Sequence, residues 1–461
     1  MCVVRAVDGV AFEVTADVLI VGAGAAGLIA ALAAKAAGAD VIVVERDAVP
    51  SGSTALSAGL IPAAGTTYQA KQGISDSLAM FRADILAKSH GMADPVALEA
   101  AITHGGPALE WLGQRYDLPF DVIADFRYPG HSAYRMHALP RRTGAELIDR
   151  LRSAVEAEAI TLLTEAHATS LFVDADRRVA GFEIHTPGRP QRIGCRALVL
   201  ACNGYGGSKE LVAAHIPAMR DALWFGHSGN DGAAVRWGSA LGAELRHMSG
   251  HQGHGSVATP YGILITWATM TEGGFQVNRD GVRFSDESRG YSEQGALVLA
   301  QPGAVAWSMF DARIAAIAAQ FEDFRQAVVA GAVIEAPTLA SLATATGLPL
   351  DALAATFADV AKRNGATDRF GRVFAGVPAL EPPYRAVKVT GGLFHTQGGL
   401  AIDRAARVLH VDGTPLPNLF AAGGAAVGVS GPDAAGYLSG NGLLTAVGLG
   451  YLAGQRAAMV A

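Results

Sequence analysis

The chain has 461 residues, of which only 17% are charged against a usual ~25%, and 56 are glycine, about 12% where ~7% is ordinary. With 50% hydrophobic residues and a mean hydropathy of +0.27, it is too apolar to be disordered and long enough to bury a large core. A net charge of −6 without a basic stripe argues against nucleic acid as a partner, and no G-X-Y period makes it collagen-like.

The start, MCVVRAVDGV, lacks the continuous apolar run of a signal peptide. Residues 17–47 then read as one βαβ unit. DVLIVGAGAAG gives an apolar strand, a glycine turn and a helix start. The helix runs to about Gly38, a plausible C-cap, and DVIVVER gives a second strand ending in Glu45. Gly22-Ala23-Gly24-Ala25-Ala26-Gly27 is a GxGxxG between strand and helix. The first glycine permits the tight turn, and the second lets a pyrophosphate approach backbone N–H groups. The third lets helix and strand pack closely. Glu45 stands about 20 residues on, where a carboxylate can accept from ribose hydroxyls. A dinucleotide is therefore the expected ligand.

Residues 51–65, SGSTALSAGLIPAAG, form a small-residue loop longer than an ordinary connector. Residues 76–116 are mostly helical in pattern, 120–142 irregular, and 144–159 helical again. TLLTEAHATSLFVD and RRVAGFEIHT suggest a hairpin, and RALVLACNG is a strand closing on Gly204. From 246 to 387 the character changes. Aromatics, a histidine cluster and an Ala-rich stretch appear, with a helix expected at 351–364. This is read as an inserted domain, 246–387, inside a first domain made of 1–245 and 388–461. NLFAAGG is a strand entering a tight turn, and residues 443–458 read as the final helix. The uncharged runs 18–34 and 434–455 carry several glycines and are not read as membrane spans. Cys2, Cys195 and Cys202 are an odd number without CxxC spacing, so neither a disulfide framework nor a zinc site is expected, and a reducing, cytoplasmic location fits. His251 and His254 in HQGH lack a carboxylate or thiol partner, so no metal is expected there.

The small-residue loop and the AAGG turn at 421–424 favour FAD over NAD as the dinucleotide. A second nucleotide fingerprint for NAD(P)H is not seen. Asn203-Gly204-Tyr205-Gly206-Gly207 follows a strand, but no helix with a downstream acid follows it.

VGAGAAGLIAALAA, GSTALSAGLIPAAG, LVLACNGYGG, NDGAAVRWGSALGA, QVNRDGVRFSDES, HTQGGLAID, NLFAAGG and YLSGNGLL occur in order along nearly the whole chain. In these motifs the chain resembles the fumarate reductase/succinate dehydrogenase flavoprotein superfamily, including the 3-ketosteroid dehydrogenases. The resemblance implies an α/β (α+β overall) fold: a Rossmann-type FAD-binding domain with an inserted capping domain, the substrate lying between them. It implies FAD contacts at Arg46, Ser53, Thr54, Ser57, Gly59, Asn203, Gly204 and Ser439. Ala168 would lie near the adenine, and Asp231 and Gly424 near the ribose and ribityl groups. Asn441 and Leu443, opening the last helix, would sit by the flavin pyrimidine. Succinate dehydrogenases attach FAD to a histidine in the small-residue loop. The corresponding position is about Ser53, so FAD is expected to be noncovalent.

Dicarboxylate chemistry needs arginines that clamp carboxylates, one of them delivering a proton. Counted from Arg283-Phe284 and Glu287, the family's proton-donor arginine position is Tyr291. The Glu and Arg of its proton path fall on about Trp267 and Met270, and its C-terminal carboxylate-binding arginine on Tyr437. The same two positions are tyrosines in the 3-ketosteroid Δ1-dehydrogenases. There a tyrosinate removes a proton next to a ketone while hydride passes to flavin N5. The resemblance thus implies Tyr291 as base and Tyr437 as carbonyl polariser, helped by a backbone N–H near Gly440 to Gly442. An unperturbed tyrosine, with a pKa of about 10, is a poor base near neutrality, so a partner tyrosine is needed. Tyr128 and Tyr134 are candidates, Tyr134 also as a substrate contact. His254 and His395 match substrate-binding histidines of fumarate reductases. Together these features point to a small cyclic ketone, possibly bearing a carboxylate of the oxocyclohexanecarboxylate type, with an enone product and an unidentified electron acceptor. The competing readings are an enoate oxidoreductase of the fumarate reductase or tricarballylate dehydrogenase type, and a non-catalytic FAD-binding protein.

Overall fold

The computed structural model describes residues 3–363, 365–374 and 376–461; Cys2 lies outside them. The chain divides into two compact units. The first comprises Met1–Leu211, Gly226–His251 and His395–Ala461, and the second Val212–Phe225 and Gln252–Phe394.

The first unit is built on a nine-stranded sheet. Val14–Val21 lies between Pro190–Leu200 and Val41–Val44, parallel to both, and Val41–Val44 pairs in parallel with Thr161–Leu163. These strands are continuous apolar runs because helices cover them; Val41–Val44 is buried at every position. His167–Val173, Val179–His185 and Pro190–Leu200 form an antiparallel meander on the far side. Pro415–Ala421 pairs in parallel with the end of Pro190–Leu200.

The helix Ala25–Ala36 follows the first of these strands, and every residue from Ala25 to Ala34 is buried. It ends where expected, with Gly38 at φ 95°, a conformation that glycine adopts freely. The last helix, Asn441–Val460, packs along it through glycines. A Cβ on Gly450 would stand 2.6 Å from the Ala26 carbonyl oxygen, and one on Gly454 would overlap that of Ala30. Ala26 thus faces Gly450 and Ala30 faces Gly454, so the two helices run parallel. The last helix begins nine residues before Gly450 and its neighbour one residue before Ala26, so its N-terminus projects roughly 12 Å past that of its neighbour at 1.5 Å per residue.

The loop 51–65 is more ordered than its composition suggests. It holds a helical turn, Gly52–Ala55, and a short strand, Ile61–Pro62. That strand joins Met136–Ala138 and Asp121–Val122 in a small three-stranded sheet, which gives regular structure to the 120–142 stretch.

The second unit centres on another mixed sheet, whose long strand Tyr384–Thr396 carries most of the pairing. Its limits differ from an insertion at 246–387. Leu223–Trp224 pairs in parallel with Gly392–Leu393, which draws residues 212–225 and the strand through Phe394 into this unit. Such a two-residue pairing leaves no hydrophobic period to read in sequence. Beneath the sheet lies a buried ionic cluster. The Glu287 carboxylate accepts from Arg283 at 2.6 and 3.1 Å, from Arg372 at 2.9 Å and from the Gln276 amide at 2.9 Å, while Asp368 pairs with Arg283. Among the described residues no helix is long and apolar enough to cross a membrane.

Candidate active site

The glycine loop of the first unit is shaped by its own packing at two positions and open at the third. Gly22 sits at φ 102°, and a Cβ there would crowd the Ala201 carbonyl oxygen at 2.6 Å. A Cβ on Gly27 would overlap the Gly22 carbonyl oxygen. On Gly24 it would meet only Thr54 Oγ1, at 3.7 Å, an ordinary contact. The fold therefore needs glycine at 22 and 27, whereas Gly24 leaves room for a ligand against the backbone. The helix beyond it has Gly24 as N-cap and no capping side chain. Its first turn, with Ala26 and Gly27, offers N–H groups and a partial positive charge to a phosphate. The Ala25 N–H is held by Thr54 Oγ1 at 3.1 Å.

The other expected cofactor residues of this unit gather around that loop. Glu45 Oε2 accepts the Ala23 N–H at 2.7 Å and Oε1 the Asp47 N–H at 3.0 Å, so it braces the glycine loop itself. Its carboxylate retains lone pairs for further donors. Ser53 Oγ accepts from Asn230 Nδ2 at 2.9 Å and from the His227 N–H at 3.4 Å. Asp231 Oδ1 accepts the Ala233 N–H at 3.0 Å, and its carboxylate lies 3.8 Å from Arg46. His227 Nε2 lies 2.9 Å from Asp47. Sequence reasoning missed His227 and Asn230, although Asn230 opens the recognised NDGAAVRWG motif and His227 lies three residues before it. Ser57 turns its hydroxyl inward, donating to the Thr54 carbonyl at 2.7 Å and accepting the Gly59 N–H at 3.1 Å. Gly59, at φ 66°, backs onto Thr143 and Gly144. Ala168 is buried in its strand. Asn203 has φ 65°, and its Oδ1 accepts the Gly204 N–H at 2.8 Å. A Cβ on Gly424 would overlap that oxygen, so the 203–204 turn and Gly424 touch.

The last helix starts beneath these turns. Gly440 is its N-cap at φ 89°, again without a capping side chain. The preceding Ser439 carbonyl accepts from His131 Nε2 at 3.0 Å. Leu443 is half-buried against the core. Asn441 is wholly buried, and its Nδ2 donates to Ser430 Oγ at 3.0 Å. Its Oδ1 is buried with no hydrogen-bond partner among the described residues. A lone buried acceptor is costly unless a ligand supplies the donor. Two uncapped helix starts, an open glycine and this acceptor fit a long ligand with an anionic centre at one end and a polar ring at the other, which is what FAD is. The residues present thus fit that group.

Beside Asn441, the Tyr437 and His395 rings meet edge to face, centroids 5.1 Å apart, and Tyr437 is buried. Gln397 Nε2 lies 2.9 Å from His395 Nδ1. Desolvation pushes the His395 pKa down to about 4. Tyr134 is more than a third exposed, at 37%. Tyr128 stacks edge-on to Phe126, and burial raises its pKa rather than favouring a phenolate. Burial also pushes the Cys195 thiol up to about 12, consistent with a packing residue.

In the second unit the strand His251–Ala258 lies directly against the helix Tyr291–Leu299. Glycines permit it. A Cβ on Gly253 would crowd the Ser292 carbonyl oxygen at 2.5 Å, and one on Gly255 the Gln294 side chain. The Gly253 N–H donates to Ser292 Oγ at 3.0 Å. This contact lays Tyr291 on His254, rings stacked at 5.0 Å and 21°. His254 is buried, and its Nδ1 accepts the Ser256 N–H at 3.1 Å. A nitrogen that accepts carries no proton, so the ring is the neutral Nε2–H form. Desolvation takes its pKa down to about 3. Trp267 and Phe394 close the other sides of His254 at 5.6 Å each. Arg283 and Glu287, which anchor the motif in sequence, belong to the ionic cluster beneath the sheet rather than to this aromatic face.

A family model described as an FAD binding domain matches residues 17–443. The probable fumarate reductase Ifc3 of Shewanella frigidimarina is 32% identical over 96% of this chain and 75% of its own length. A 4-oxocyclohexanecarboxylate 2-dehydrogenase of Sinomonas cyclohexanicum is 27% identical over 96% of this chain and 92% of its own. A solved 3-ketosteroid Δ1-dehydrogenase of Sterolibacterium denitrificans shares the fold, with a TM-score of 0.80 over 96% of this chain and 99% of that one, at 19% identity. The chain belongs to the FAD-binding flavoproteins of the fumarate reductase/succinate dehydrogenase superfamily and is an FAD-dependent oxidoreductase acting on CH–CH groups.

Proposed function

We propose that the enzyme desaturates a small cyclic ketone, introducing a C=C bond next to the carbonyl, with FAD held noncovalently. The observation that carries this reading is the stack of Tyr291 on His254, an aromatic pair at the position where a dicarboxylate enzyme needs arginine. FAD, when bound, would supply the two-electron oxidant as a hydride acceptor. Tyr291, as phenolate, takes the α-proton on its Oη. It is the first residue of its helix, where the N-terminal partial charge favours a negative group. Tyr437 donates a hydrogen bond to the ketone oxygen, where enolate charge develops, and a backbone N–H near Gly440 adds a second donor. Substrate loses one proton and one hydride, which balances a two-electron oxidation. Ser53, in place of an attaching histidine, supports noncovalent FAD.

The likeness to Ifc3 favours a second reading, a carboxylate-directed enoate oxidoreductase. Anaerobic titration separates the two. Saturated cyclic ketones, including oxocyclohexanecarboxylates, should bleach the flavin. Bleaching by succinate-like acids alone would select the second reading.

A further inference from the structure

The proton on His395 is set by a chain of buried amides. Gln397, Ser430 and Asn441 are 4%, 1% and 0% exposed. Asn441 Nδ2 donates to Ser430 Oγ at 3.0 Å, and the Ser430 hydroxyl donates to Gln397 Oε1 at 2.7 Å. A hydroxyl has one hydrogen, so with that one on Oε1, Gln397 turns its NH2 group toward His395 Nδ1, 2.9 Å away. The Nδ1 lone pair receives it. The Thr396 carbonyl is also near Nδ1, at the longer distance of 3.3 Å, and would be the acceptor if the whole chain ran the other way.

We propose that Gln397, backed by Ser430 and Asn441, is a positioning residue that fixes His395 as the neutral Nε2–H tautomer and so makes it a hydrogen-bond donor to a ketone oxygen rather than a cation for a carboxylate. The titratable groups facing His395 in its unit are Tyr437 and His251, and His251 opposes a second positive charge. The Nε2 edge abuts the start of the last helix, where a Cβ on Gly442 would lie 3.1 Å away. That helix end also disfavours an imidazolium. His254 is held in the same tautomer by the Ser256 N–H. Both histidines of the motif set are then neutral donors. The consequence for substrate class rests on the ketone reading above; the tautomer does not.

The test is histidine-ring ¹⁵N NMR of the FAD-loaded full chain, with His395→Gln to assign the signal. The expected result is a protonated Nε2 and a lone-pair Nδ1, unchanged from pH 8 down to pH 5.5. A proton on Nδ1, or on both nitrogens at neutral pH, overturns the proposal. Two variants extend it. Gln397→Glu puts a carboxylate at Nδ1, which draws the proton there and charges the ring. FAD content should hold, kcat/KM for the ketone should fall about tenfold, and a new ionisation should enter its profile near neutrality. Gln397→Met removes the donor without charge and should lower kcat/KM about tenfold with no new ionisation. Equal losses in both variants, with wild-type pH profiles and an unchanged tautomer, would show a merely structural residue and overturn the assignment. If no cyclic ketone bleaches the flavin, the functional reading falls while the NMR result still decides this one.

Discussion

Tyr291 lies stacked on His254, 5.0 Å between centroids, because Gly253 and Gly255 let their strand touch the helix that Tyr291 opens. The phenyl ring alone can hold that stack. Tyr291→Phe should therefore keep the fold and the bound FAD. On the proposed mechanism it removes the hydroxyl that takes the proton, so flavin reduction by substrate should slow at least ~100-fold. Stopped-flow bleaching measures this directly, and a near wild-type rate would remove Tyr291 from the mechanism.

Tyr437→Phe probes the other end of the reaction. Its ring packs edge-on against His395, which Phe can reproduce. What is lost on the proposed mechanism is a donor to the developing enolate, for which ~10²–10³-fold in kcat is typical. KM should change far less than kcat, because the charge exists in the transition state. A change confined to KM would make Tyr437 a ground-state contact only.

The three fingerprint glycines should separate under substitution. Gly27→Ala forces a methyl into the Gly22 carbonyl oxygen, so the protein should fail to fold or lose several kcal/mol. Gly24→Ala meets only Thr54 Oγ1 at 3.7 Å. The apoprotein should melt near the wild-type temperature, yet FAD affinity should fall sharply as the methyl fills the ligand's approach. Unchanged FAD affinity in Gly24→Ala would place the pyrophosphate elsewhere.

What could be read in advance follows from how local each feature is. The βαβ unit was legible because strand, turn and helix lie within 31 consecutive residues and each has a local signature. The final helix and the turn before it were legible for the same reason. The parallel packing of the first and last helices was not, since it depends on Gly450 and Gly454 meeting Ala26 and Ala30, more than 400 residues away in the chain. That residues 212–225 join the second unit is not readable in sequence, because the two-residue strand pairing them to it carries no period. Gln397 stood in a recognised motif, HTQGG, but its partner Ser430 is 33 residues on and nothing in sequence links them. Glu287 serves in sequence only as a landmark for locating Tyr291, and that it is buried against two arginines is visible only in the structure.

Acid should destabilise the first unit well before its carboxylates titrate. His137 is fully buried, hydrogen-bonded to Thr66 Oγ1 at 2.8 Å and to the Arg135 carbonyl at 2.9 Å. Desolvation pushes its pKa down to about 4. The unfolded chain protonates a histidine near pH 6.5 and so binds the extra proton first. Its contribution is fully present above pH 6.5 and is lost as pH falls from there toward 4. The loss is at most about 3 kcal/mol for a displacement of that size. His131, also near 4, adds in the same window. Urea midpoints measured from pH 8 to pH 4 should fall most steeply below 6.5. In His137→Gln that slope should flatten, and an unchanged slope would mean the ring is already charged in the folded protein.

Glu287 carries a large expected stability effect away from the candidate site. Its carboxylate holds Arg283 and Arg372, all three buried, and Asp368 takes the far side of Arg283. Removing one partner from a buried ion pair leaves an uncompensated charge, typically a loss of 3–5 kcal/mol. Glu287→Gln should therefore unfold at markedly lower urea, although its carboxylate bonds to Arg283, Arg372 and the Gln276 backbone rather than to Tyr291 or His254. Replacing Glu287, Arg283, Arg372 and Asp368 together by apolar residues of similar volume should recover most of that loss, because the desolvation cost disappears with the charges. The contrast distinguishes scaffold from site. If Glu287→Gln instead kept its urea midpoint and lost turnover, the carboxylate would belong to the chemistry and the cluster would need another account.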